Sequence, residues 1–415
     1  MFRSTSHNPG HFDVIILGAG AAGLMCAATA GRRGRRVLLL DHAERIGKKI
    51  LISGGGRANF TNLHCRAENF LSENPHFAKS ALAAFTPSDM IALVEKHRIP
   101  YHEKTLGQLF CDRSAQDLVQ ILARECAEAG VEIRTGTRIL AVSKPDRFRV
   151  DTESAAGPAS FTADSLIIAT GGLSIPKMGA TALGYEIATQ FGLDLVPCRP
   201  ALVPFVFNPQ DTERWCDLSG LSAEVIASAA PSPRRGNGNG NSRRNLQPSF
   251  REKLLITHRG LSGPAILQIS SYWRPGEEII LDLAPARELT ATLLQPNARR
   301  DLGAALAALR TLLPARLAER WLELHPPAAW TNPALARFED SLHTWRLNPA
   351  GTEGYAKAEV TAGGVSTAEL DAKTMQSRKL PGLFLIGEVV DVTGWLGGYN
   401  FQWAWSSATQ AGNAV

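Results

Sequence analysis

Three glycines and one carboxylate, Gly18, Gly20, Gly23 and Asp41, stand at the spacing that holds a dinucleotide. In G-x-G-x-x-G the first glycine permits a tight turn off a strand, and the second lets the backbone approach a phosphate. The third lets a helix lie close on the sheet. That helix, opening at Ala21 and Ala22, presents unpaired N–H groups and the positive end of its dipole to the anion. Asp41 lies 18 residues beyond Gly23, where a carboxylate accepts from both hydroxyls of an adenosine ribose. The same charge repels a 2′-phosphate and disfavours NADP at this site.

The elements that must position these residues are written around them. Asp13–Leu17 is a continuous apolar run, as suits a strand buried on both faces. The Ala-rich segment 21–33 predicts a helix stopped at Gly34, and Val37–Leu40 a second buried strand ending at Asp41. A third strand, Ser165–Ile168, runs into Ala169-Thr170-Gly171-Gly172. Between them, Ser53-Gly54-Gly55-Gly56-Arg57 makes a backbone track able to press against a flat ring or a pyrophosphate. Near the end, Leu383–Ile386 leads to Gly387-Glu388, then to Gly397-Gly398 and an apolar helix. The N-terminus of such a helix stabilises negative charge, as on a reduced flavin near N1 and the C2 carbonyl, by roughly 0.3–2 kcal/mol.

The order GxGxxG, acid, GKK, SGGGR-N-TN, ATGG, THRGLSGP, AEVTAGGV and GEVVD…GGYNFQWAWSSA resembles the BaiN/YhiN-type bacterial flavoproteins from about Phe12 to the C-terminus. That group binds FAD within the glutathione-reductase-like superfamily and includes a bile-acid dehydro-reductase and proteins described as aminoacetone oxidases. The resemblance implies that Gly18, Gly20, Ala21, Ala22 and Gly23 hold the pyrophosphate, with Asp41 and His42 on the ribose side. It implies that Lys49, Ser53, Gly54, Gly55, Arg57, Asn59, Thr61 and Asn62 wrap the pyrophosphate and flavin. Ile139 would meet the adenine through its backbone, and Thr170 and Gly171 would close over the dinucleotide. Gly387 and Glu388 would reach the ribityl chain; Gly398, Tyr399, Asn400 and Gln402 would sit at the pyrimidine edge of the ring. Two departures bear on substrate rather than cofactor. Ala58 stands where relatives often carry cysteine, and Thr181-Ala182-Leu183-Gly184 lacks the acid of a TGDG-like stretch.

The chain has 415 residues, 44% of them apolar, 20% charged, with a net charge of +5. That is too long for one ordinary core and is the composition of a water-soluble protein. Met1–His11 lacks an apolar signal core and no segment is long enough to span a bilayer, so a cytoplasmic protein without membrane partners is expected. The six cysteines form no CxxC or CxxxxC pair, which argues against a dithiol relay, and the ten histidines show no metal-ligand grouping. Arginine pairs are scattered rather than gathered on one face, so nucleic acid is not expected as a partner. Oligomeric state is not legible.

The expected fold is α/β, a Rossmann-like, glutathione-reductase-type FAD-binding domain with a β-rich insertion and a small helical insert. Residues 12–196 form its first part, 197–286 the β-rich substrate domain, 287–345 the helical insert and 346–415 the return to the FAD domain. Pro231–Pro248 is low-complexity and basic, the pattern of a hairpin tip. His258, in Thr257–Pro264, and Tyr399 are the weak candidates for proton transfer. The rival role for that loop is structural, with Thr257 and Ser262 capping the helix that starts near Pro264. The leading function is hydride transfer between a small organic substrate and flavin N5, fed by NAD(P)H binding transiently, since no second GxGxxG exists. The alternatives are an amine oxidase using O2, and a flavoprotein that acts on tRNA or does no catalysis.

Overall fold

The computed structural model describes residues 10–230 and 248–415. It divides into two units, Met1–Arg199 with Val360–Val415, and Pro200–Glu359. The first unit opens with β1 (His11–Leu17), α1 (Ala21–Arg32) and β2 (Val37–Leu40), all three lined by fully buried aliphatic side chains. Gly34, at φ +80°, ends the α1 turn. Next come α2 (Lys48–Ile52), β3 (Asn59–Asn62), β4 (Phe70–Leu71), α3 (Ala78–Ala84) and α4 (Pro87–Lys96). Thr86 and Asp89 cap α4 reciprocally and Pro87 takes its first position, so this helix is started by local chemistry alone. β5 (Tyr101–Glu103) and β6 (Gln108–Cys111) form a hairpin that pairs with β3. Beyond it lie α5 (Ala115–Glu128), β7 (Glu132–Arg134), β8 (Arg138–Ser143), β9 (Phe148–Ser154), β10 (Gly157–Ile168), α6 (Leu183–Gln190) and β11 (Leu195–Ala201).

The second unit contains β12 (Phe205–Val206), α7 (Pro209–Trp215), β13 (Ser222–Ala229), β14 (Phe250–Ile256), β15 (Gly260–Ser262), α8 (Pro264–Ser270), β16 (Ile279–Asp282), α9 (Leu302–Arg310), α10 (Ala315–Leu324), α11 (Asn332–His343), β17 (Trp345–Leu347) and β18 (Gly351–Thr352). Its seven strands run in the order β17-β16-β13-β14-β15-β12-β18, every pairing antiparallel. The helical run after residue 287 belongs to this unit rather than standing apart. The cause is aromatic: Trp215 of α7, Trp321 of α10 and Trp345 of β17 share one cluster, with ring centroids 4.7–6.2 Å apart. The hairpin tip expected at 231–248 lies outside the described residues except for Pro248.

The chain then returns to the first unit through β19 (Val360–Val365), β20 (Leu383–Leu385), β21 (Thr393–Gly394) and α12 (Tyr399–Ala414). The main sheet has the order β7-β2-β1-β10-β9-β8, with β20 added on β10. β10 is 12 residues long. Its first half pairs antiparallel with β9, and its second half runs parallel between β1 and β20. Register then does the decisive work. Leu17 lies opposite both Leu40 and Ile168, and Ile168 opposite Leu385, so four parallel strands end level. The residues that follow them are Gly18, Asp41, Ala169 and Ile386. Loops written more than 300 residues apart therefore open onto one carboxyl-end crevice, where open α/β sheets bind their ligands.

Candidate functional site

Sterics at the first turn leave glycine little alternative. Gly18 sits at φ +105°, and a Cβ there would fall 2.4 Å from the Ala169 carbonyl oxygen. A Cβ on Gly23 would fall 1.8 Å from the Gly18 oxygen, which is how closely α1 lies on its strand. Gly20, the N-cap of α1, is different: the direction its Cβ would take meets nothing within 4 Å. The helix start has no side-chain cap and no acidic residue in its first turn. Its free N–H groups and dipole are thus left for an external anion. Asp41 accepts from Ala19 N at 2.6 Å and Ala43 N at 2.8 Å, one bond on each oxygen. A carboxylate has about four lone-pair sites, so two remain for ribose hydroxyls. His42 is exposed beside it, 3.7 Å from the carboxylate. Gly136 N and Thr137 N donate to the Ala43 and Asp41 carbonyls, which docks the start of β8, and with it half-buried Ile139, beside the same strand end.

The opposite wall is built from the glycine track and the C-terminal turn. Ser53 Oγ donates to the Ile50 carbonyl, ending α2, and Gly54, Gly55 and Gly56 follow with φ of 55°, 67° and 85°. The Gly55 Cβ direction is open, and the Arg57 side chain is exposed. Gly398, at φ +95°, starts α12, and a Cβ on it would lie 2.3 Å from the Thr61 carbonyl oxygen. In the orientation that satisfies its amide, Asn59 accepts from Gly398 N at 3.2 Å. Asn62 Nδ2 donates to the Gly397 carbonyl at 2.9 Å. Thr61 Oγ1 donates to Gln402 Oε1 at 2.6 Å, and the Gln402 amide nitrogen is spent on Phe85 O and Ser406 Oγ. Gln402 is fully buried, so its side chain is part of the frame that aims the turn. Asn400 likewise folds back on the Gly394 backbone. Gly387 is clamped from α12, where Trp403 Nε1 donates to its carbonyl at 3.0 Å and Ser407 Oγ accepts from its N–H at 3.0 Å.

A charged knot joins the two walls. Lys49 Nζ donates to Glu388 Oε2 at 2.7 Å and to Ser174 Oγ at 2.5 Å, while Glu388 Oε1 accepts from Thr361 N at 2.8 Å. Thr361 Oγ1 in turn accepts from Leu173 N at 2.7 Å. Neither Ser174 nor Thr361 is singled out by spacing; the left-handed Gly363 and Gly364 beside Thr361 are the trace of this close approach in the sequence. Above it, Thr170 Oγ1 is buried with no hydrogen-bond partner, and a Cβ on Gly184 would lie 2.1 Å from it. The Gly171 Cβ direction is open. An orphaned hydroxyl, three open glycine directions and an uncapped helix start on one crevice fit a long, polar, phosphate-bearing ligand.

The proton-transfer candidates fare unevenly. Tyr399 is 6% exposed, its ring packed edge-on against Phe70 and Trp395. His258 is exposed in the turn between β14 and β15 of the second unit. Neither Thr257 nor Ser262 caps α8: its N-cap is Gly263, and Thr257 Oγ1 instead accepts from Arg259 N and Gly260 N, closing the hairpin turn. All six cysteines are free thiols, and burial pushes Cys65, Cys111 and Cys126 up to about 12. No metal-binding cluster occurs among the described residues, and none of their helices is long and apolar enough to cross a membrane.

The family profile described as "HI0933-like protein Rossmann domain" matches residues 12–414. A protein of Escherichia coli (strain K12) named "Ribosomal RNA dihydrouridine synthase" is 49% identical over 403 residues, covering 96% of each chain. A Haemophilus influenzae protein of the same name is 44% identical over 95% of this chain and 96% of its own. A Clostridium scindens "3-dehydro-bile acid delta(4,6)-reductase" is 30% identical over 96% of this chain and 98% of its own. The expectation that nucleic acid is no partner is overturned by the two RNA-directed relatives. Its basis was weak: scattered basic residues argue against one continuous basic face, not against an RNA substrate. With crevice, profile and full-length relatives in agreement, this chain belongs to the HI0933-like Rossmann family, a group of FAD-dependent oxidoreductase-like enzymes.

Proposed function

We propose that this protein is an FAD-dependent reductase that converts a uridine of ribosomal RNA to dihydrouridine. The observation that carries the reading is 49% identity along 96% of the chain to a relative of that name. The chemistry is consistent across the family members. Uracil C5=C6 is conjugated to the C4 carbonyl, so its saturation takes a hydride at C6 and a proton at C5. The bile-acid relative is named for reducing delta(4,6) unsaturation in a 3-dehydro compound, again carbon–carbon bonds conjugated to a carbonyl. This common demand favours a reductase over an amine oxidase.

FAD, when bound, supplies the hydride for this chemistry. The chain's own residues bind and orient. Gly18–Gly23 and the start of α1 would hold the pyrophosphate, and Asp41 the ribose. The start of α12, set by Gly398, would favour the charge that develops on the reduced ring. Thr170 Oγ1 would donate to the dinucleotide at the point where it has no protein partner. With no second dinucleotide turn, NAD(P)H would reduce the protein from the open face and leave before RNA enters.

The test uses purified holoprotein, NADH or NADPH, and unmodified ribosomal RNA transcripts. Nucleoside mass spectrometry should find uridine heavier by two hydrogens at a defined position. Fully reduced protein that leaves every rRNA uridine intact would defeat the proposal.

A further inference from the structure

Between Arg45 and Arg66 the chain carries five basic residues and no acidic one. Lys49 spends its charge on Glu388. Arg45, Lys48, Arg57 and Arg66 make no ion pair with any described residue, and all but half-buried Lys48 are exposed. Elsewhere on this unit several exposed arginines are matched, Arg138 with Glu153, Arg147 with Asp164 and Arg149 with Asp151, while exposed Arg98 and Arg124 make no ion pair with a described residue and lie apart from one another in the chain. Four unpaired cations gathered within one stretch of 22 residues are what a surface for an external polyanion requires.

The fold arranges these residues as a rim. Lys48 and Arg57 flank the glycine track before β3, and Arg66 follows its far end, with about 13 Å of strand between. The β5–β6 hairpin joins that far end: Lys104 N donates to the Gln108 carbonyl, and Asn62 Nδ2 donates to the Leu106 carbonyl at the tip. Exposed Lys104 stands over the Phe110 ring at 5.3 Å, and Leu63 and Leu106, 43% and 59% exposed, flank the same tip. Asn62 also holds the Gly397 carbonyl, so the rim is tied directly to the turn before α12. Cations that grip phosphates, beside exposed apolar side chains that bases can lie against, suit an unpaired nucleic-acid strand.

We infer that Arg45, Lys48, Arg66 and Lys104 form the surface that grips the RNA backbone while the target uridine enters the crevice. This rests on the RNA-reductase reading above. Arg57 is left out of the test because it also lies on the cofactor track.

The experiment measures binding of a single-stranded rRNA fragment containing the modified position, from 50 to 300 mM salt. It compares wild-type holoprotein with the combined Arg45→Gln, Lys48→Gln, Arg66→Gln, Lys104→Gln variant. A second variant, Arg138→Gln, Arg147→Gln, Arg149→Gln, removes paired charges instead. Single strands lose affinity with a logarithmic slope of about −0.7 per phosphate contacted, so four lost contacts should flatten the slope by about three. Kd at moderate salt should rise about tenfold or more. Flavin content and bleaching by NAD(P)H should match wild type, and the paired-charge variant should keep the wild-type slope. An unchanged slope in the four-site variant, or equal flattening in both variants, overturns the surface assignment while leaving the function intact. Wild-type protein that makes no dihydrouridine sinks the function itself. If the four-site variant loses flavin or unfolds, Arg45→Gln and Lys104→Gln alone should each flatten the slope by about 0.7, and no change in either overturns the inference.

Discussion

Alanine at Gly20 and alanine at Gly23 should damage the protein in opposite ways, although the two positions are three residues apart. A methyl group at 23 would sit 1.8 Å from the Gly18 carbonyl oxygen, about half an ordinary contact distance, so α1 must retreat from β1 by well over an ångström. That retreat loosens Leu24, Ala27 and Ala28, all at 0–1% exposure. Overpacking of this kind costs about 3 kcal/mol, and about 6–12 °C of melting temperature for a unit of this size. At position 20 the methyl points into open space and φ is −83°, ordinary for alanine. The loss there is only the weaker helix N-cap, under about 1 kcal/mol. The new methyl nevertheless occupies the line along which a phosphate approaches the helix start. The apoprotein of Gly20→Ala should melt within about 3 °C of wild type yet bind FAD at least tenfold more weakly, about 1.4 kcal/mol or more. Thermal melts of both apoproteins and fluorescence titration with FAD check this. If Gly20→Ala melts as low as Gly23→Ala, or titrates as tightly as wild type, the assignment of that turn to the pyrophosphate is wrong.

Trp403→Phe removes the donor to the buried Gly387 carbonyl and should cost about 1–3 kcal/mol, with a smaller rise in melting temperature on adding FAD because the clamped turn is loosened. His343 in the second unit has its pKa lowered by burial but raised further by Asp282 and Glu339, so the net shift is upward. Its contribution is complete below about pH 6.5 and disappears as pH rises through the raised value. The stability gap between wild type and His343→Gln, measured by denaturant titration, should therefore shrink from pH 6 toward pH 8; a gap that widens would contradict the two ion pairs. With burial raising every cysteine, iodoacetamide at neutral pH should leave NAD(P)H bleaching unchanged, and rapid labelling with loss of activity would reveal a thiol that takes part in turnover.

Much of the crevice was legible because its chemistry is local. Gly18, Gly20 and Gly23 each answer a constraint set within a few residues, and Asp41 follows after one helix and one strand. The rest depended on partners distant in the chain. Lys49 reads as a cofactor contact; that its ammonium also holds Glu388, 339 residues away, shows only in the fold. Gln402 reads as a ring contact; that three hydrogen bonds inside the protein also hold its amide in the frame of the turn shows only in the fold. Thr257 reads as a helix cap, yet a hairpin turn claims it first. The run after residue 287 reads as a separate helical insert because amphipathic stripes do not say what they face; three tryptophans bind it to the sheet.

Sequence by itself determined the kind of ligand: strand, glycine turn, helix and acid in that order specify a dinucleotide, because each residue type meets a steric or electrostatic demand of its immediate neighbours. Tertiary structure alone decided which loops meet. Only the level ending of β1, β2, β10 and β20 sets Gly18, Asp41, Thr170 and Gly387 on one crevice. Strand register is a property of the whole sheet, settled by the fit of all its buried faces at once, and no short stretch of chain carries it.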